Sequence, residues 1–168
     1  MHTTPTRDPV VAQRPAVPYV GVRRTVTLTT VGLVADRLGD LVGLVLDAGS
    51  APAGPPFLRY EVVDMAAALV VVAGVPVDGP VPTPGDVHTG TLPAGRYATV
   101  VHRGHPGTLV GATADLLAWA RDRGLTLDVS PSGDGDRWGC RLESYLTDPA
   151  GEPDPDRWET ELAFRLAG

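Results

Sequence analysis

The stretch Leu58-Arg59-Tyr60-Glu61-Val62-Val63-Asp64 aligns with Leu142-Glu143-Ser144-Tyr145-Leu146-Thr147-Asp148 at an offset of 84 residues. On either side the same order of elements can be read. In the first half, Pro18–Leu28 is rich in Val and Thr and predicts a strand. A helix capped by Thr29 or Thr30 follows, with Val34, Leu38, Leu41 and Val45 on one stripe. The run Ala48–Pro56 ends it, and Phe57–Val63 and Leu69–Val77 predict two strands around a turn near Asp64–Met65. The proline-rich joint Asp78–Gly85 then opens the second half. There Val87–Leu92 and Arg96–Arg103 predict strands. A helix spans about Pro106–Arg123, with Leu109, Thr113, Leu116 and Ala120 on one stripe. The loop Asp128–Asp136 precedes two further strands, Trp138–Thr147 and Arg157–Leu166.

A period of this length is too long for a solenoid unit. It predicts an α+β fold: a duplicated strand-helix-strand-strand module with antiparallel sheets, two main helices and a central groove about a pseudo-twofold axis. Residues 1–17 are polar and aperiodic and predict a flexible N-terminal arm. Residues 18–168 then form a single domain with pseudo-repeats 18–77 and 86–166. A groove between paired modules is a natural ligand site.

Composition narrows the function. With 168 residues, 43% of them hydrophobic and 20% charged, the chain can bury a core of its own. A net charge of −6 argues against a general phosphate-binding surface. One cysteine excludes an internal disulfide framework and any multi-cysteine zinc site. The longest apolar run, Ala66–Val77, has 12 residues and contains Gly74 and Pro76, against about 20 for a spanning helix. No apolar stretch of signal-peptide length precedes residue 18, so a soluble, cytoplasmic protein is expected.

Strand alternation divides the candidate residues between two sheet faces. On the next-to-last strand, Trp138, Cys140, Leu142, Ser144 and Leu146 share one face, and Arg141, Glu143, Tyr145 and Thr147 the other. On the last strand, Trp158, Thr160, Leu162, Phe164 and Leu166 alternate with Glu159, Glu161, Ala163 and Arg165. The apolar sets are expected against the helices. The second face gathers Glu143, Tyr145 and Glu161, to which pseudo-symmetry adds Arg59 and Glu61. It is either a wetted sheet face or the wall of the groove. In a groove, a partly desolvated carboxylate could bind a cation or act as acid or base, with Tyr145 donating to the same ligand atom.

The segments PYVGVRRTV, APAGPPFLRYEVVD, LPAGRYATVVHRG, GTLVGATADLLAWARDRG, LESYLTDP and WETELAF, in this order and spacing, resemble the gyrase-inhibitor-like (GyrI-like) small-molecule-binding domain. That module occurs free-standing and attached to AraC- and MerR-type regulators. The likeness runs from about Pro18 to Leu166. It implies one central groove for lipophilic, often aromatic and cationic compounds. The resemblance further implies ligand recognition by a final-strand glutamate, matched by Glu161. In some free-standing members it implies hydrolytic opening of cyclopropane-bearing alkylators by a glutamate and an aromatic hydroxyl, matched by Glu161 and Tyr145. This sequence departs from the pattern in two places: His105 lengthens the usual His-Arg-Gly-Pro turn, and Ser130–Asp136 is rich in glycine and aspartate.

The remaining candidates are weighed by chemistry. His102 and His105 form His-x-x-His with no evident third ligand, so a turn role is expected and no metal. Cys140 is expected as a buried apolar thiol. Trp119 is either core or groove wall, since indole is a good platform for flat ligands. Serine-hydrolase and phosphate-loop chemistry lack their partner residues, and no cofactor is implied. The expected partner is a lipophilic, aromatic small molecule, with no direct nucleic-acid or membrane contact and a homodimer left open. The ligand set is Arg59, Glu61, Trp119, Glu143, Tyr145 and Glu161, with Glu161 as general base and Tyr145 hydrogen-bonding the oxygen that gains charge. The competing function is a non-catalytic interaction protein for a macromolecule such as a topoisomerase or a regulator.

Overall fold

Ten strands and three α-helices are laid out in a computed structural model that describes residues 8–64 and 66–168. In chain order they are β1 (Val10–Arg14), β2 (Val17–Val26), α1 (Val31–Ala35), α2 (Arg37–Asp47), β3 (Phe57–Val63), β4 (Leu69–Pro76), β5 (His88–Leu92), β6 (Gly95–Arg103), α3 (Leu109–Asp122), β7 (Val129–Ser132), β8 (Gly135–Trp138), β9 (Arg141–Tyr145) and β10 (Glu159–Arg165). The strands form one antiparallel sheet in the order β1-β6-β10-β9-β3-β4-β2-β5. The hairpin β7–β8 joins it through β8 and β3.

The duplication is visible in this order. β9 and β3 meet at the centre, each followed outward by two strands of its own half. The outermost strands are exchanged: β1 pairs with β6, and β5 pairs with β2. β1 is thus the counterpart of β5, and the first repeat carries one more strand than the sequence suggested. The flexible-arm expectation fails for residues 10–14, where Val10–Arg14 form a full register with Gly95–Thr99. Residues 1–7 of that arm lie outside the described residues. The strand escapes sequence reading because it is an edge strand with Val10 and Val11 exposed, so burial imposes no alternation on it.

Both helix stripes are used as read. Val34, Leu41 and Val45 are buried and Leu38 packs beside them, against Val20, Val22, Val71, Ala73 and Val75 of β2 and β4. Leu109, Leu116 and Ala120 are buried, the first two over Ala98, Val100, Leu162 and Phe164 of β6 and β10. The first helix is broken at Asp36 into α1 and α2. Thr30 does not cap it; its hydroxyl accepts from the Thr27 amide at 2.8 Å instead. The turn before α3 is fixed by His105, whose Nδ1 accepts from the Gly107 amide at 2.9 Å.

A third cluster occupies the other face of the sheet: Tyr19, Phe57, Val72, Leu92, Tyr97, Cys140, Leu142 and Ala163. The sheet is therefore apolar on both faces. The helices pack on β2 and β4 and on β6, so the helix-side face of β9 and β3 lies between them. The predicted loop Asp128–Asp136 is mostly the hairpin β7–β8, with Ser132 Oγ donating to the Gly135 carbonyl at its turn.

Candidate functional site

The central floor follows from the β9 register. Tyr145 pairs with Thr160, Glu143 with Leu162, and Arg141 with Phe164. On the other side Glu143 pairs with Leu58 and Leu142 with Arg59, which brings Tyr60 beside Arg141. Directly paired residues share a face. Leu162 and Phe164 face α3 and Leu58 faces α2, so Arg141, Glu143, Tyr145 and Tyr60 lie on the helix-side face.

Glu143 is the centre of this floor. Its Oε2 accepts from the Tyr60 hydroxyl at 2.6 Å, and its Oε1 from the Tyr145 hydroxyl at 3.4 Å. Burial pushes the carboxyl above its ordinary range, opposed by the hydrogen bond from Tyr60 and the charge of Arg141. Burial also raises both phenols, and the neighbouring Glu143 charge adds to the shift. The two hydroxyls therefore stay protonated as donors across neutral pH. Arg141 lies beside them with its guanidinium carbon 4.8 Å from the Trp138 ring centroid, 4.9 Å from Phe164 and 5.9 Å from Tyr60. A carboxyl of raised affinity for protons, held by two hydroxyls among apolar side chains, can accept and return a proton.

The structure brings together only part of the set read from sequence. Glu143 and Tyr145 meet as described. Glu161 does not join them: it pairs with Ser144, faces away from the helices, and forms an ion pair with Arg14 of β1 at 2.8 Å. This placement does not bring Glu161 together with Tyr145, as a general base beside it would require.

Arg59 and Glu61 also leave the set. Arg59 lies on the face opposite Glu143, donating to the Gly139 carbonyl at 2.9 Å and the Tyr19 hydroxyl at 3.3 Å. Glu61 sits at a register irregularity between Tyr60 and Val62 and pairs with Arg23 at 2.6 Å. It borders a hollow of about 700 Å³ with Asp64, Asp134 and Arg137. Its carboxyl is held below the usual range by Arg23 against the opposing effect of burial.

Trp119 packs in the α3 cluster with the Arg123 guanidinium 5.1 Å from its ring. It shares a helix flank with Ala112 and Asp115. Those two line a hollow of about 370 Å³ with Asp8 and His102, on the β1–β6 side and away from the central floor. Among the described residues, no group of three His, Cys, Asp or Glu is placed to hold a metal. Cys140 is buried on the face away from the helices, and burial raises its thiol.

Tyr60 and Arg141 were missed as site residues. Arg141 alternates in phase with Glu143 and Tyr145, and Tyr60 in phase with Leu58; what alternation alone does not show is the break at Gly139 between β8 and β9, which sets the face that meets the helices. Trp138 belongs to the helix-side cluster and Cys140 to the opposite one. The two would share a face on an unbroken strand, so the break exchanges the faces of everything that follows.

A duplicated β-sheet with paired helices over a central acid-and-hydroxyl floor defines a small-molecule-binding domain. The chain belongs to the GyrI-like small molecule binding domain family, which matches residues 7–167. Among solved structures it is similar to EcmrR in a complex with DNA (TM-score 0.73, 19% identity), covering 95% of this chain and 57% of that one. The chain thus spans little more than half the length of EcmrR. It is also similar to SAV2435 bound to tetraphenylphosphonium (TM-score 0.66, 12% identity, 96% and 94% covered). A third likeness is to a hydrolase from Listeria innocua (TM-score 0.62, 13% identity, 98% and 94% covered). At these identities the likeness is one of fold. No curated protein matches the sequence. No described helix is long and apolar enough to cross a membrane.

Proposed function

We propose that this chain binds a lipophilic, aromatic small molecule on the β9–β3 floor between the helices, and protects its host by adding water to a strained ring of that molecule. The observation that carries the reading is Glu143 held by the Tyr60 and Tyr145 hydroxyls on the floor between the helices. The Listeria innocua neighbour described as a hydrolase and the ligand-bound SAV2435 are consistent with it.

In this reading Glu143 takes a proton from a water molecule as its oxygen attacks a cyclopropane carbon. The ring carbon–carbon bond breaks, and its electron pair moves through the conjugated system to a carbonyl oxygen. Tyr145 gives that oxygen its proton and regains one from Glu143, so the net change is the addition of one water. Tyr60 keeps Glu143 oriented throughout. General acid–base help of this kind is worth about 10²–10⁴-fold.

The test is product analysis by mass spectrometry after incubating a cyclopropane-bearing alkylator with buffer, wild type and Glu143→Gln. Water addition by wild type alone supports the reading and assigns Glu143. Equal turnover by Glu143→Gln overturns its role. Tight binding of unchanged compound overturns hydrolysis and keeps binding, and absence of both overturns the proposal.

A further inference from the structure

Tyr60 serves two neighbours at once. Its hydroxyl donates to Glu143 Oε2 at 2.6 Å, and its ring centroid lies 5.9 Å from the Arg141 guanidinium carbon. The same guanidinium is 4.8 Å from the Trp138 ring and 4.9 Å from Phe164, and Arg141 is buried. A guanidinium is weakly hydrated and stacks well on aromatic faces, so three rings can hold it away from water with its charge intact. Burial works against that charge, and the attraction of Tyr60, Glu143 and Asp136 of β8 supports it.

Arg141 and Glu143 stand on one face of β9, two residues and about 7 Å apart along the strand. Both Glu143 oxygens accept from tyrosines, Oε2 from Tyr60 and Oε1 from Tyr145. The groups acting on Glu143 are thus Tyr60 of β3 and Arg141 and Tyr145 of β9, while β10 presents the apolar Leu162 and Phe164 to this face. A cation against the ring draws electron density from the phenol and makes its hydroxyl a stronger donor. It also fixes the ring, and with it the line from the hydroxyl to Oε2. Over the same span a positive charge favours a carboxylate over a carboxylic acid. We propose that Arg141 is a positioning residue for the water-adding step: it acts on Glu143 through Tyr60, aiming the phenol at Oε2 and holding the carboxyl in the charged form that takes a proton from water. The inference rests on the reading of Glu143 as the base, and it gives the buried cation beside that base a role without contact to the ligand.

The test is carbon NMR titration of the Glu143 side-chain carboxyl in the full chain, without ligand. Wild type is compared with Arg141→Met, Arg141→Lys, Tyr60→Phe and the double variant Tyr60→Phe/Arg141→Met. Loss of a full charge about 7 Å away, at an effective dielectric constant of about 20, is expected to move the Arg141→Met titration upward by at least about one pH unit. Arg141→Lys is expected to return part of the way, since it keeps the charge and loses the planar stack. The separate shifts of Tyr60→Phe and Arg141→Met are expected to sum to more than the double variant shows, the mark of two groups acting as one. An unmoved titration in a folded Arg141→Met overturns the inference, and strict additivity overturns the route through Tyr60. Wild type supplies a reading that needs no variant. Its Arg141 Nε resonance is expected to titrate with the midpoint of Glu143, and silence across that range overturns the inference whether or not the variants fold. Turnover by Glu143→Gln equal to wild type overturns Glu143 as the base, and with it the role given to Arg141, even where the titrations show the coupling.

Discussion

The Tyr60 hydroxyl donates to Glu143 Oε2 at 2.6 Å across the central β3–β9 pair, joining the two halves of the duplication through one short hydrogen bond. Tyr60 comes from the first repeat and Glu143 from the second. The polar centre of the floor therefore exists only when both halves are folded against each other.

Tyr60→Phe removes a donor from a partly buried carboxyl while keeping the ring. Hydrogen bonds to charged groups are worth about 1.5–3 kcal/mol, so a loss of that size is expected in urea unfolding at pH 8. Because the Tyr60 bond holds the Glu143 proton affinity down, the variant is also expected to move the Glu143 titration further upward, read by NMR of the side-chain carboxyl. An unchanged titration would mean that the bond does not act on Glu143.

The pH dependence of Glu143 has a definite sign. Burial raises its folded-state pKa above the ordinary value of 4.5, so the folded state holds a proton that the unfolded state has released. Its contribution to stability is fully present below about 4.5 and is lost as pH rises through the raised folded value. The stability difference between Glu143→Gln and wild type is expected to grow in favour of the variant as pH rises from 4.5. Paired denaturant titrations across pH 4–8 measure it. If Glu143 is the base, turnover by wild type rises over the same window as the carboxylate forms.

Glu161→Gln tests whether Glu161 takes part in ligand binding. The Arg14–Glu161 pair at 2.8 Å is partly exposed, with side chains 31% and 21% accessible. Such pairs contribute about 0–1 kcal/mol. A stability change below about 1 kcal/mol and unaltered ligand binding are expected, and tenfold weaker binding would return Glu161 to the site.

Gly74→Ala tests packing on the face away from the helices. A Cβ at Gly74 would collide with the Phe57 ring, which itself packs edge-on against Tyr19 at 5.2 Å. Overpacking of this kind costs about 1–3 kcal/mol. Thermal unfolding should show the loss, and Gly43→Ala, which meets nothing, serves as the control.

The sequence by itself determined the element order, both helix stripes, most strands and the existence of a duplication. Those features are local: a 3.6-residue or two-residue period in apolar side chains is imposed wherever one face is buried. On β10 the alternation also placed Leu162, Phe164 and Leu166 correctly against α3. The tertiary structure decided which set of β9 faces the helices. Alternation yields two sets without saying which is inward, and with both sheet faces apolar the usual hydrophobic cue is absent. The break at Gly139, tied down by Arg59 on its carbonyl, reversed the phase and exchanged Leu142 and Ser144 for Arg141, Glu143 and Tyr145 on the helix side. The exchange of β1 and β5 between halves was equally invisible, because pairing along an edge is a property of the partner strand and leaves no period in the chain that supplies it.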